Sequence, residues 1–270
     1  MPDSDKVFAG SVPENYDRYM VPLIFQPYAD DLARRVAARA PKAVLEIAAG
    51  SGAVTRAVAA VLAPDAAYMV TDLNQPMLEH ARSRQGGDAR LSWKQADAQE
   101  LPFADGSFDV VCCQFGAMFF PDRVKAYREA GRVLRPNGIY FFSIWDRIED
   151  NVFAKDVTDA MAELFPDDPP RFLARTPHGH GDTAVIRREV LAAGFSNVTV
   201  QTLSEQSRAS SAQLVAMSYC RGTPLRNEIE ARRSDALQEA TDRAEKLIIA
   251  RHGSGEIAAK IQAHVIEATP

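Results

Sequence analysis

Short apolar runs alternate with segments of helical spacing through the middle of the chain. The apolar runs cover residues 43–48, 68–71, 91–96, 108–114 and 139–145. After the first run, Val54, Val58 and Leu62 recur four positions apart, which is the spacing of an amphipathic helix. Helices are predicted in the same way over 75–84 and 122–134. Strands this short and apolar are typically buried on both faces, so the alternation predicts a parallel sheet with helices on each side.

Two later segments depart from this rhythm. Residues 147–183 follow no clear period and contain an acidic, proline-rich turn, whereas residues 210–251 are helical in character. Between them, a predicted helix over 184–193 and a predicted strand over 197–203 restore the alternation, and residues 261–268 supply a last strand. We interpret the two irregular segments as insertions into the sheet domain.

An aromatic-rich N-terminal segment precedes the first strand. Its rings belong to Phe8, Tyr16, Tyr19, Phe25 and Tyr28. A helical stretch follows these rings and ends at Pro41. We predict one domain over residues 1–270, composed of an N-terminal cap (1–42), a core (43–146) and helical lid insertions on the substrate side (147–183 and 210–251).

Composition and charge exclude several classes of protein. The net charge of −5 and the dispersed basic residues argue against a nucleic-acid partner. No apolar run is long enough to cross a bilayer, and the first residues lack the apolar stretch of a secretory signal, so we expect a cytoplasmic protein. Only three cysteines are present, and Cys112 and Cys113 are adjacent in a predicted strand. We interpret them as small core residues and not as part of a disulfide framework.

The turn after the first apolar run carries the strongest chemical signal. Residues 44–52 read VLEIAAGSG, with Gly50 and Gly52 in the turn and an acid, Glu46, near the strand end. Glycine permits a sharp turn and a close approach of a ligand to the backbone, and the following helix presents free N–H groups. A dinucleotide-binding loop has glycine where this chain has Ala48, and Glu46 disfavours a phosphate. A carboxylate suits an ammonium group, so a zwitterionic methionine fits this turn better than a dinucleotide.

Two carboxylates follow the next two predicted strands. Asp72 comes about twenty residues after the glycines, the spacing at which a carboxylate can accept both ribose hydroxyls of an adenosine. Asp97 follows the strand over 91–96, where it can accept from an adenine amino group while the N–H of Ala98 donates to a ring nitrogen. Both residues are also compatible with ordinary turn acids, so their weight comes from their position after the glycine turn.

Four motifs in order resemble the class I S-adenosylmethionine (SAM)-dependent methyltransferases, in particular the ubiquinone/menaquinone-biosynthesis branch. They are VLEIAAGSG (44–52), VTDLN (70–74), ADAQELPFADGSFDVV (96–111) and REAGRVLRPNGIYFFSIWD (128–146). The resemblance implies an α/β fold: a Rossmann-like, seven-stranded, mostly parallel sheet with helices on both faces, whose last strand is antiparallel and inserted between the fifth and sixth. Ala48 departs from the family, which usually has glycine there, and its methyl group tightens the approach to the methionine moiety.

The resemblance also implies a set of site residues with SAM as the cofactor and no metal. The methionine end is assigned to Glu46, Ala48, Gly50 and Gly52, and the ribose to Asp72 and Leu73. The adenine is assigned to Asp97, Ala98 and Met77, and the floor of the site to Gln114 and Phe115. An N-terminal tyrosine, Tyr16 or Tyr19, is expected to cap the cofactor, and Tyr19 is the predicted cofactor-binding residue of the two. The implied partner is a small-molecule methyl acceptor, and the protein is expected to be a monomer or a homodimer.

The catalytic group and the acceptor are less determined. His178 and His180 lie in the predicted lid, and an imidazole there can act as a base near neutral pH, although a solvated loop or a structural pair explains them equally. A non-catalytic SAM-binding subunit is an alternative that would lack an acceptor pocket. A nicotinamide oxidoreductase is a third hypothesis, which the turn over 46–52 disfavours. Methylation at oxygen, nitrogen or carbon is compatible with these residues.

Overall fold

A seven-stranded sheet forms the core of the fold. A computed structural model describes Glu14 and residues 16–270, so Phe8 of the predicted cap lies outside the described residues. The strands are β1 (Ala43–Glu46), β2 (Ala67–Asp72), β3 (Leu91–Gln95), β4 (Phe108–Gln114), β5 (Leu134–Trp145), β6 (Asn197–Ala209) and β7 (Ile257–Thr269). Their order across the sheet is β3-β2-β1-β4-β5-β7-β6, with β7 antiparallel. This order confirms the predicted fold, including a last strand inserted between the fifth and sixth.

The helices fill the intervals between the strands. A π-helix (Tyr16–Phe25) leads into α1 (Gln26–Ala38), which is followed by α2 (Ala53–Val61), α3 (Gln75–Gln85), α4 (Arg123–Val133), α5 (Val152–Leu164), α6 (Phe172–Arg175), α7 (Thr183–Ala192), α8 (Ala212–Gly222), α9 (Leu225–Arg232) and α10 (Leu237–His252). Carboxylates cap two of them, since Asp122 accepts the N–H of Lys125 and Asp182 accepts that of Ala184. No helix among the described residues is long and apolar enough to cross a membrane.

The chain divides into two compact units, each built from three segments. The first unit contains Met1–Phe25, Trp145–His180 and Ser204–Gln262, and the second contains Gln26–Ile144, Gly181–Leu203 and Ala263–Pro270. In the first unit, α10 packs against α5 and α8. A buried carboxylate, Asp156 of α5, joins two of these helices by accepting hydrogen bonds from Arg251 and His252 of α10.

The second unit contains the parallel part of the sheet. Strand β1 pairs in parallel with β2 on one side and with β4 on the other, and β4 pairs in parallel with β5. Val44, Leu45, Val110 and Val111 are fully buried at the centre of these pairs. Apolar side chains on both faces of β1 and β4 therefore explain why these strands form the middle of the sheet.

Three elements differ from the sequence prediction. Residues 152–164, predicted as irregular, form α5, whose Phe153, Val157 and Met161 are buried at helical spacing. The segment 210–251, predicted only as helical in character, contains three separate helices, α8, α9 and α10. Strand β5 begins at Leu134 and not at residue 139, because Leu134 pairs with Phe108 across a register shift.

Candidate functional site

Polar side chains lie on one face of the sheet where neighbouring strands end. Glu46 ends β1 in register with Val70 of β2 and Cys112 of β4. Asp72 and Gln114 lie two residues further along β2 and β4. Because side chains alternate between the faces of a strand, the side chains of Glu46, Asp72 and Gln114 share one face. The carboxyl ends of parallel strands are where open α/β sheets bind ligands.

The turn between β1 and α2 has a left-handed backbone at three positions. The φ angles are 55° at Ala48, 57° at Gly50 and 85° at Gly52. Among the described residues, a Cβ added at Gly50 would meet only the Cε atom of Met77, at 3.7 Å, so they leave the backbone there open to an approaching group. At Gly52 a Cβ would stand 2.9 Å from Cβ of Ala81 in α3. Gly50 therefore leaves room beside the turn, whereas Gly52 is required by helix packing.

Asp72 ties the end of β2 to this turn. Its Oδ2 accepts the N–H of Gly50 at 2.8 Å, and its Oδ1 accepts the N–H of Asn74 at 2.7 Å. The side chain is 6% exposed, and burial raises the pKa of the carboxyl group while the backbone donors oppose the rise. An ionised carboxylate has about four acceptor sites, so each oxygen retains capacity for a further donor.

Glu46 is a buried acid held by two hydroxyl groups. Its Oε2 accepts hydrogen bonds from Thr55, at 2.7 Å, and from Tyr68, at 2.5 Å. Burial raises the pKa of Glu46 from 4.5 to about 7; the two hydroxyl groups lower it and the charge of Asp72 adds to the rise. A group at this pKa is half ionised near neutral pH, so a neighbouring cation would favour its charged form.

The residues predicted to contact an adenosine lie beyond β2 and β3. Leu73 exposes 48% of its surface although it is apolar, and Met77 is buried beneath the turn. Asp97 is exposed, and its Oδ1 accepts the N–H of Gln99 at 2.8 Å, while Ala98 beside it is buried. Asp97 thus has the geometry of a turn acid whose carboxylate still contacts solvent.

Phe115 and Gly116 close the turn after β4. Phe115 has a φ of 52° and packs edge-on against Tyr28, with ring centroids 5.3 Å apart. A Cβ at Gly116 would stand 2.5 Å from Cβ of Ala48. Sequence reasoning missed Gly116, as it missed the hydroxyl partners Thr55 and Tyr68, because these contacts join residues that are far apart in the chain.

Three predicted site residues belong to the first unit. Tyr19 lies in the π-helix with the guanidinium of Arg18 5.2 Å from its ring centroid. His178 and His180 follow α6, and both are partly buried. The structure therefore groups Glu46, the glycine turn, Asp72, Met77, Gln114 and Phe115 in the second unit together with Leu73, Asp97 and Ala98.

Comparisons with known proteins agree with this arrangement. A family described as a methyltransferase domain matches residues 45–142. The ubiquinone/menaquinone biosynthesis C-methyltransferase UbiE of Ectopseudomonas mendocina is 30% identical over 60% of this chain and 68% of its own length. UbiE of Pseudomonas aeruginosa is 29% identical over 62% of this chain and 70% of its own length.

Solved structures show the same fold. Phosphoethanolamine N-methyltransferase 2 of Haemonchus contortus, solved with S-adenosyl-L-methionine, has a TM-score of 0.61 and 15% identity, covering all of this chain and 60% of its own. The YcgJ protein of Bacillus subtilis has a TM-score of 0.55 and 21% identity, covering 90% of this chain and 97% of its own. The sequence relatives are methyltransferases by name, and the solved structures share the fold. The chain belongs to the class I SAM-dependent methyltransferases, and it is an enzyme of that family.

Proposed function

We propose that SAM binds to the second unit at the carboxyl ends of β1, β2 and β4, and that its methyl group goes to a small molecule. The observation that carries this proposal is the hydrogen bond between the N–H of Gly50 and Oδ2 of Asp72. This hydrogen bond joins the open glycine turn to an acid on the same face of the sheet. The turn can then contact the amino-acid end of SAM while the acid contacts its ribose.

The methionine end of SAM is assigned to Glu46 and the turn over 48–52. Glu46 offers a buried carboxylate whose ionised form a nearby ammonium group would stabilise. Gly50 offers a backbone with free space beside it. The chain thus supplies a negative charge for the ammonium group and an open stretch of backbone beside which the rest of the amino acid can lie.

The nucleoside end is assigned to residues after β2, β3 and β4. Each carboxylate oxygen of Asp72 already accepts one backbone N–H, which fixes its direction and leaves acceptor capacity for a ribose hydroxyl. The exposed apolar surface of Leu73 and the buried Met77 suit contact with a sugar and a purine. Asp97 and Ala98 are assigned to the adenine edge, and Gln114 and Phe115 to the floor.

SAM supplies a methyl group on a sulfonium, and the protein has to align it with a nucleophile and exclude water. The turn and Asp72 provide alignment, because hydrogen bonds from the backbone N–H groups of Gly50 and Asn74 hold the carboxylate. Enclosure of the acceptor by 147–183 and 210–251, a cytoplasmic location and a monomeric or homodimeric state stay predictions from the sequence.

Isothermal titration calorimetry with S-adenosylhomocysteine tests the cofactor site. Wild-type protein should bind the ligand and not NADH. Asp72→Ala should weaken binding about 100-fold, since two hydrogen bonds to a charged group are worth roughly 3 kcal/mol or more. Asp65→Ala is the matched control, because Asp65 is an exposed acid paired with Lys42.

Thermal unfolding separates binding from folding, since Asp72 also anchors Gly50. Wild-type protein that binds no S-adenosylhomocysteine would contradict the proposed function. A folded Asp72→Ala protein with wild-type affinity would contradict the assignment of the ribose to Asp72.

A further inference from the structure

The imidazole of His178 is held in one tautomer. Its Nδ1 lies 2.8 Å from the backbone carbonyl oxygen of Asp146. A carbonyl oxygen can only accept, so Nδ1 carries the proton and Nε2 carries a lone pair. In the part of the chain that the structure describes, no protein group donates to this Nε2. The ring therefore presents a hydrogen-bond acceptor of fixed direction.

The carbonyl that holds the imidazole is itself anchored. The side-chain amide of Asn151 donates to the same oxygen at 3.3 Å, and Asn151 is 2% exposed. Gln262 of β7 holds Asp146 from two sides: its carbonyl accepts the N–H of Asp146 at 3.1 Å, and its side-chain amide donates to Oδ2 at 2.7 Å. Asn151 and Gln262 thus position Asp146, and Asp146 positions His178.

The loop that carries His178 is wound tightly onto the end of α6. The N–H of His178 donates to the carbonyl of Leu173 at 3.1 Å. A Cβ at Gly179 would stand 2.0 Å from the carbonyl oxygen of Arg175, so only glycine fits there. Hydrogen bonding and close packing within the chain therefore fix the backbone on both sides of the imidazole, as expected of a preorganised binding group.

A row of aromatic rings leads to the imidazole within the first unit. Tyr16 stacks on Phe25 at 5.0 Å, Phe25 lies 5.9 Å from Trp145, and Trp145 lies 5.9 Å from the ring of His178. Phe25 and Trp145 are buried, whereas Tyr16 and His178 at the two ends of the row are partly exposed. Rings of this kind bind flat, apolar molecules by stacking and edge contacts.

The electrostatic surroundings define the charge of a suitable ligand. Burial lowers the pKa of His178 to about 4, although the charges of Asp146 and Glu149 oppose the change. The ring is thus neutral at pH 7 and acts as an acceptor, not as a cation. The two neighbouring acids disfavour an anionic ligand at this position.

We propose that the first unit binds an uncharged planar ring with an O–H or N–H group, and that this group donates to Nε2 of His178. His178 then selects and orients this ring through a hydrogen bond and does not take its proton. This role in ligand selection is an alternative to the role of a base, for which the sequence offered His178 as a candidate.

Tryptophan fluorescence measures the proposed site directly. The chain has two tryptophans, so a Trp93→Phe background leaves Trp145, beside His178, as the reporter. The probes are 4-propylphenol, 4-propylanisole, which lacks the donor, and 4-propylbenzoate, which is anionic. The phenol should quench Trp145 and bind roughly tenfold more tightly than the anisole, the value of one buried hydrogen bond. The benzoate should bind most weakly of the three.

His178→Phe keeps an aromatic ring and removes the acceptor, so it should abolish the preference for the phenol over the anisole. His80→Phe, the same change in α3, should keep that preference. Equal binding of phenol and anisole to the parent protein, no binding of any probe, or a preference that survives His178→Phe would each overturn the proposal. Calorimetry with S-adenosylhomocysteine on the same proteins reports the cofactor site separately, and its affinity should not change in His178→Phe.

Discussion

Protonation of Glu46 should control the affinity for the cofactor. The carboxyl group has a pKa of about 7 because it is buried, although hydrogen bonds from two hydroxyl groups oppose the rise. An ammonium group beside it favours the carboxylate, so binding should lower this pKa and release a proton. A group that titrates near pH 7 is almost fully protonated at pH 6 and almost fully ionised at pH 8. Affinity should therefore fall roughly tenfold from pH 8 to pH 6.

Calorimetry with S-adenosylhomocysteine across this pH range tests the prediction. Methylthioadenosine lacks the amino-acid end and is the matched ligand, so its affinity should stay constant. Glu46→Gln should bind S-adenosylhomocysteine weakly and without pH dependence. Thr55→Val removes a donor to the carboxylate, so it should move the midpoint to higher pH. A flat profile for wild-type protein, or equal profiles for the two ligands, would refute the reasoning.

The raised pKa of Glu46 also makes the free energy of unfolding depend on pH. The folded-state pKa of Glu46 lies above its ordinary value of 4.5. The stability that the protonated Glu46 side chain contributes to the fold is therefore fully present below pH 4.5 and is lost as the pH rises through 7. The full size of the effect is about 3 kcal/mol. Protein without S-adenosylhomocysteine should accordingly lose this part of its stability progressively from about pH 4.5 to pH 7, with only about 1.4 kcal/mol of the loss between pH 6 and pH 8.

Two further predictions concern the framework of the site. Gly116→Ala places a Cβ 2.5 Å from Cβ of Ala48 and 2.8 Å from Sγ of Cys113, so urea unfolding should show a loss of about 1–3 kcal/mol. In an Ala48→Gly background the loss should shrink by roughly 1 kcal/mol, and an equal loss in both backgrounds would contradict the contact. Ending the chain before β7 (Ile257–Thr269) should abolish cooperative thermal unfolding, whereas removal of Pro270 alone should not; a truncated protein that melts cooperatively would show that β7 is dispensable.

Local patterns predicted the middle of the fold well. The bounds of β4 match the predicted 108–114, because its buried run is flanked by turn residues. The position of β7 between β5 and β6 followed from the family resemblance, since strand order is not encoded in any single segment. Helix α5 was missed although Phe153, Val157 and Met161 recur four residues apart, because acidic and basic side chains interleave with them.

For the candidate site, the sequence indicated which residue types take part but not the contacts between them. The order of the glycine turn, Asp72 and Asp97 indicated a nucleoside with an amino-acid end. The hydroxyl partners of Glu46 depend on strand register, which places Tyr68 of β2 within 2.5 Å of a residue that ends β1. The fit of Gly116 against Ala48 likewise depends on two turns that meet in space. Such contacts follow from tertiary packing and leave no periodic signal in the chain.

The inserted position of β7 also has a kinetic consequence. Within the described part of the chain, β6 is an edge strand that pairs with β7 alone, and β5 ends at Trp145, far before β7 begins at Ile257. Until β7 pairs with both, β5 and β6 each present an open strand edge. Closing the sheet thus requires a late encounter between distant segments, which makes folding slow. Refolding at high protein concentration exposes those edges to other chains, so aggregation competes with the last step of assembly.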